Sequence, residues 1–357
     1  HELFDDDITR ATAVDGLSGE KGLSGYACIA PRTLAHYLAL FARALPGFLH
    51  EILARHPALQ DLYRFHIDTW IGQRFYPNAG DAGSWTQTSP TYAAVPFIGN
   101  DGPTLAPSMF TFFWQLYEAT GDVGFVQILH HANGDVTDDL PHDLCCADPA
   151  DFQQRVAEAI AEHGELPQPP SVNKQNWHLA ILRGGDDRMG PVAWLDYDSG
   201  AMNSVYAYRL DPSVRGRGAH SHADGMHLGL YYRGVDLIPD LGYPPVNFGG
   251  WSSPQAEWYK MSAAHNTLVV DGLDLANAGG QTLWWQDEGS VRGICVSAPG
   301  LIEGEVFERT IVIVDTGEAD AYIVDVFRVQ GGADHTRFLL GPFGPMQTTG
   351  LDLAPAP

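Results

Sequence analysis

The chain has 357 residues, 45% of them hydrophobic and 18% charged, which is enough apolar material for a large core in one or two domains. Its formal net charge of −24 argues against nucleic acid or an anionic membrane surface as partner, although an acidic protein can still carry a locally basic cleft for an acidic ligand. No uncharged apolar run is long enough to span a bilayer, and its four cysteines form no Cys-x-x-Cys pair, which argues against a thiolate zinc site or thioredoxin-like chemistry.

Residues 1–30 read as loop, with the acidic run Asp5-Asp6-Asp7 followed by a Gly/Ser-rich stretch from Asp15 to Gly25 that delivers Tyr26. From Pro31 the apolar period becomes helical, with Leu34, Tyr37, Leu38, Phe41 and Leu45 at three- and four-residue steps. A short helix to about Arg55, a helical stretch from Leu59 to Phe75, and helices near Pro107–Ala119, Asp122–His131 and Pro149–Glu162 follow, with a loop from Tyr76 to Trp85. Pro167, Pro169 and Pro170 make a stiff linker, and after it the period becomes two. Strands are expected at 177–183, 192–197, 225–232, 235–240, 265–271, 290–297, 302–307, 309–315, 321–330 and 335–340, each half-buried, as in an antiparallel sandwich. Cysteines read as small buried apolar residues. The chain opens on His1 and stops at Leu353 to Pro357, which reads as a segment of a longer polypeptide.

Residues 218–243 hold the densest chemistry. His220, His222 and Asp224 alternate, so an extended backbone puts them on one face. Asp240 ends the next strand, and His265 opens another in Ala264-His265-Asn266-Thr267. His222, Asp240 and His265 together suit a divalent metal, zinc first, in a structural or a catalytic role. The plainer alternative is a pair of hydrogen-bonded sandwich histidines. His220 can reach the same cleft, Tyr26 comes from the helical side, and Tyr243 and Tyr259 flank the second cluster. A His and a Tyr facing one substrate can exchange protons with it. Arg32, Arg74, Arg215 and Arg217 are candidates for holding an anion, against the plainer reading of solvated surface charges.

These residues carry a resemblance. His220-Ser221-His222-Ala223-Asp224-Gly225, Gly234 through Tyr243, and Ala264 through Gly272 resemble the heparinase II/III-like family of polysaccharide lyases, which includes alginate lyases of the same build. On the helical side, Asp15-Gly16, the Gly/Ser run with Tyr26, and Pro77-Asn78-Ala79-Gly80-Asp81 agree with it. The resemblance spans roughly residues 10–340 and implies two domains. Residues 1–165 would be an (α/α) toroid truncated at its N-terminus, and residues 166–357 an antiparallel β-sandwich, with the cleft between them. It implies β-elimination at a uronic acid of an acidic polysaccharide such as heparan sulfate, alginate or ulvan, and a periplasmic or secreted location. Tyr26 would protonate the leaving glycosidic oxygen and His220 would be the sandwich-side acid/base. Tyr259 would match a second substrate-contacting Tyr, with Arg74, Arg217 and Tyr243 as substrate-binding residues and His222, Asp240 and His265 as metal ligands. One departure stands out. Family members carry an Asn or an Asn-His pair upstream of the catalytic Tyr, and the 25 residues before Tyr26 supply none, so that part is expected before His1. Two other classes compete: a metal-pinned glycan-binding protein without catalysis, and a zinc hydrolase using His220, His222 and Asp224.

Overall fold

A computed structural model describes residues 2–83, 92, 94–96, 98, 106–185, 188–199, 220–317 and 320–341. The first helix, α1 (Glu2–Ala11), falls where a loop is expected. Its acidic run lies near the helix N-terminus, where the helix dipole favours carboxylates. Ile8 and Ala11 are buried, and the Phe4 ring meets Phe41 and Phe48 edge-on at 4.9 and 5.9 Å. A 3-10 turn (Tyr26–Cys28) leads into α2 (Ile29–Ala44), with Pro31 in its first turn, where a missing N–H costs nothing. Then come α3 (Phe48–Arg55), α4 (Ala58–Asp68), α5 (Pro107–Thr120), α6 (Val123–Ala132) and α7 (Pro149–His163).

The expected long helix to Phe75 ends at Asp68 instead. Gly72 and Gln73 both take left-handed φ values, 57° and 52°, and an Ile71–Phe75 bridge closes the turn. The Gln73 amide donates to Leu166 O at 2.9 Å, which ties this turn to the proline linker. Neighbouring helices pack pairwise from α1 to α4, α5 touches α2, α3 and α6, and α6 touches α4 and α7. The described residues show a packed helical layer and do not show a closed ring.

The strands are β1 (Val172–Lys174), β2 (Leu179–Arg183), β3 (Val192–Asp196), β4 (Asp198–Ser199), β5 (His227–Tyr232) and β6 (Val235–Ile238). After α8 (Pro254–Lys260) follow β7 (Leu268–Val270), β8 (Ala278–Gly279), β9 (Gln281–Gln286), β10 (Val291–Ser297), β11 (Val306–Asp315), β12 (Ala321–Gln330) and β13 (His335–Arg337). One antiparallel sheet runs β1-β2-β3-β5-β6 and a second β12-β11-β10-β9, with β13-β7 and β4-β8 as small pairs. The strands expected at 302–307 and 309–315 run together as β11, which starts only at Val306, four irregular residues after a 3-10 turn (Pro299–Leu301). Cys28 and Cys295 are buried as expected, whereas Cys145 is exposed.

The first sheet departs from half-burial. Every residue of β2 and β3 is buried. Leu179, Ile181 and Trp194 belong to the helical core, while their alternates Ala180, Leu182, Ala193 and Leu195 join Ile294, Val296, Ile311 and Ile313 of the second sheet. The order is therefore helices, sheet, sheet, and the middle layer is apolar on both faces because both are covered. Polar clamps fix the helices to it. Asp15 accepts the backbone N–H groups of Asn176 and Trp177 at 2.6 and 3.1 Å, and the Trp177 indole donates to Ser18 O at 2.9 Å. The buried Arg183 guanidinium donates to the carbonyls of Asp68, Trp70 and Pro170.

Candidate active site

The N-terminal loop, the loop 76–83 and the segment 220–243 converge. Lys21 is 1% exposed, with its ammonium 3.0 Å from Asp196 Oδ1, 2.5 Å from Asp198 Oδ1 and over the Trp177 ring at 4.0 Å. Burial alone would drive that amine toward neutrality, but the two carboxylates hold it charged, so the whole loop is pinned to the sheet. Five residues on, the 3-10 turn presents Tyr26. Loop 76–83 threads between the two halves: Gly22 N–H donates to Ala79 O at 3.0 Å, Asp81 N–H to His220 O at 2.8 Å, and Tyr243 N–H to Ala82 O at 2.9 Å. Two glycines make this approach possible. A Cβ on Gly80 (φ +67°) would lie 2.2 Å from His220 O, and one on Gly242 (φ +61°) 2.1 Å from Ala82 O.

The stretch 220–224 is not a strand, because β5 begins only at His227 and His220 takes a left-handed φ of 62°. The expected shared face is broken there, and the two histidines part company. His220 turns to the helical half. Its ring stacks on Tyr26 with centroids 3.5 Å apart and planes 2° apart, and its Nδ1 lies 2.9 Å from Glu20 Oε1. The Tyr26 hydroxyl lies 3.2 Å from that of Tyr243, whose ring continues to Trp251 at 5.7 Å. Burial first, then the Tyr26 hydroxyl and the Asp81 charge, raise the Tyr243 phenol well above its ordinary value. The two hydroxyls are thus joined by one hydrogen bond, and Tyr243 keeps its proton. Burial raises the Glu20 carboxyl, with His220 pulling the other way. Tyr26, Tyr243, Asp81 and Arg32 line a cleft of about 270 Å³.

Beneath the cleft, His222, Asp224, His227, Asp240 and His265 are all buried. Asp240 Oδ2 lies 2.8 Å from His265 Nδ1, which raises that imidazole to about 9 against the opposing effect of its burial and holds the Asp240 carboxyl low. His227 Nδ1 lies 3.1 Å from the same oxygen but accepts Asn266 N–H at 3.1 Å, so it is a neighbour of Asp240 and not its donor. Burial lowers His227 to about 3, keeping it neutral, and raises Asp224 to about 6. Asp81 Oδ1 lies 2.9 Å from His222 Nε2.

This arrangement fits a divalent metal. One ligand atom each from His222, Asp224 and His265 lie within 4.8 Å of one another, and so do those of His227, Asp240 and His265. The first trio has the unspent atoms. With Nε2 of His222 on Asp81 and Nδ1 of His265 on Asp240, His222 Nδ1 and His265 Nε2 are left buried without a hydrogen-bond partner. A carboxylate on the far nitrogen of each imidazole is how metal-ligating histidines are held. The expected trio of His222, Asp240 and His265 is thus divided between the two groups, with His265 in both.

Of the other expected residues, Tyr26, His220 and Tyr243 come together. Tyr259 sits on α8 with its ring 5.7 Å from Trp258 and does not line the cleft. Arg74 is exposed beside Tyr231 and Gly234, at the β5–β6 turn. Arg215 and Arg217 lie outside the described residues. Sequence reading missed Glu20 and Asp81 as partner of His222, and gave His227 no role. A carboxylate next to the buried Lys21 carried no periodic signal, whereas His227, seven residues from His220, was visible.

Known proteins resemble this chain in part of its sequence and in its fold. Residues 192–352 match the family model described as heparinase II/III-like, C-terminal. A heparin-sulfate lyase of Bacteroides stercoris is 26% identical over 112 residues, which is 31% of this chain and 16% of that protein. Among solved structures, a heparinase III gene product superposes with a TM-score of 0.64 at 16% identity, covering 98% of this chain and 44% of its own. A mutant of heparan sulfate lyase HepC from Pedobacter heparinus gives 0.58 at 14% identity, covering 93% and 41%. The chain thus spans less than half the length of the solved structures it matches and a smaller share of the curated relative. Residues 192–352 thus resemble that C-terminal domain, and the described chain has the fold of the heparinase III structures.

Proposed function

We propose that this cleft performs β-elimination on a uronic-acid-containing polysaccharide, with a glycosaminoglycan of the heparan sulfate kind as the first substrate to test. The contact between Tyr26 and His220 across the two halves carries the reading. The C5 proton of a uronate is weakly acidic, and its loss becomes feasible when the adjacent carboxylate charge is neutralised. His220 is placed to take that proton, and the Tyr26 phenol stacked on it has one of its own to give. As the C4–O bond breaks and the C4=C5 bond forms, a proton returns from the phenol to the leaving oxygen. Arg32 supplies a cation in the lining. The reaction consumes no water, and a polymer substrate agrees with a periplasmic or secreted location.

His222, Asp224 and His265 would hold a divalent cation, zinc by donor type, with Asp81 and Asp240 fixing the imidazoles. When bound it supplies charge that pins three chain segments beneath the cleft. His220 belongs to neither metal-capable trio, which favours elimination over a zinc-bound-water hydrolase.

The test is the full-length protein on heparan sulfate, alginate and other uronate polymers, read by the ultraviolet absorbance of the unsaturated product. Cleavage that generates no such absorbance points to hydrolysis. Binding without cleavage points to a glycan-binding protein, and either result defeats the lyase reading.

A further inference from the structure

We propose that Glu20 is a positioning residue for His220: its carboxylate holds the proton on Nδ1 and leaves Nε2 as the nitrogen with a lone pair for proton transfer. This rests on the lyase reading for its consequence in rate, but not for the geometry.

Three constraints act on the His220 ring. The backbone is fixed first, in a left-handed conformation, by the bond from Asp81 N–H to His220 O at 2.8 Å. Stacking on Tyr26 at 3.5 Å then fixes the plane of the ring. Neither decides which nitrogen points where within that plane, because stacking is indifferent to rotation about the ring normal. An in-plane hydrogen bond does decide it, and Glu20 Oε1 at 2.9 Å from Nδ1 is that bond. An ionised carboxylate only accepts, so the proton sits on Nδ1 and the other nitrogen is a base. Glu20 is itself held, because the adjacent Lys21 is anchored on Asp196 and Asp198. Its side chain is 19% exposed, against 29% for His220, so water competes little for the bond. A hydrogen bond that selects a tautomer is worth more to a rate than to stability.

The experiment uses full-length protein labelled with 15N-histidine, with His220→Gln identifying the resonance. Nδ1–H is expected at His220. In Glu20→Ala a mixture of tautomers is expected, with kcat on heparan sulfate down roughly 10²-fold and KM little changed. Glu20→Gln, which keeps an acceptor of the same length, is expected to retain the Nδ1–H tautomer and recover most of kcat. A native His220 with no proton on Nδ1, or a tautomer unmoved in Glu20→Ala, overturns the proposal. If Glu20→Ala fails to fold, the native tautomer and Glu20→Gln still decide. A protein that cleaves no uronate polymer defeats the lyase reading alone, since the resonance remains to be read.

Discussion

His220 and His222 stand two residues apart and live in opposite conditions. One is 29% exposed at its side chain and stacked on a phenol that lines the cleft. The other is 1% exposed at its side chain, shares a buried pocket with His265, and leaves Nδ1 without a partner. The residue type is the same, so environment alone divides the roles. A half-open imidazole beside a phenol can exchange protons with a bound molecule. An enclosed imidazole opposite a carboxylate can only be a ligand or a strut. The cleft and the cluster below it should therefore respond separately to perturbation, and that separation can be broken in four ways.

The largest expected effect is on the cleft. Tyr26→Phe is predicted to lower kcat about 10³-fold while moving stability by less than about 1 kcal/mol, measured by absorbance assay and thermal unfolding. Normal turnover in this variant would place the chemistry elsewhere.

Comparable in energy but opposite in kind is Lys21→Met. It strands Asp196 and Asp198 in the interior and is predicted to cost about 3–5 kcal/mol in denaturant unfolding. A loss below about 1 kcal/mol would mean that the ion cluster does not hold the loop.

Asp224→Asn tests the cluster. Its carboxyl is raised from 3.8 to about 6 by burial, so the metal-free folded state binds more protons than the unfolded chain between those values. Stability then falls as pH rises through that window, and the penalty, roughly 3 kcal/mol, is complete above about pH 6 and gone below about pH 4. The amide is predicted to relieve it at pH 7 in chelated protein and, conversely, to weaken zinc binding. Equal stability of the two proteins at pH 7 after chelation would rule out that cost.

The smallest effect sharpens the cleft. Tyr243→Phe removes the hydroxyl that bonds to that of Tyr26 and is predicted to slow turnover about tenfold, near the worth of one hydrogen bond, with no change in metal content. An unaltered rate would leave that bond without a part in the reaction.

Much of this layout was legible in the sequence. Three- and four-residue apolar steps located α2 and α5 to α7, the prolines at 167–170 marked the change to strands, and the His/Asp spacing pointed to the cluster. What escaped depends on chain segments meeting from afar. An alternation argument assumes an extended backbone, and His220 leaves that conformation only because loop 76–83 supplies a donor to its carbonyl. Half-burial of β2 and β3 was a fair inference from period two, but helices on one face and a second sheet on the other bury both. Glu20 matters through a partner two hundred positions away, and no local pattern announces such a pair. Helix α1 was hidden because three aspartates look like loop until Phe4 and Ile8 find neighbours.

The close passage of main chain at Gly80 and Gly242 has a consequence for how such a groove can change. Carbonyl oxygens stand where a methyl would go, 2.2 and 2.1 Å from it, so the gap between the phenol side and the imidazole side is gauged by bare peptide units. Peptide units come in one size. Changes in the shape of this groove are therefore expected to be tolerated at its rim, since one added carbon at either glycine would wedge the two walls apart.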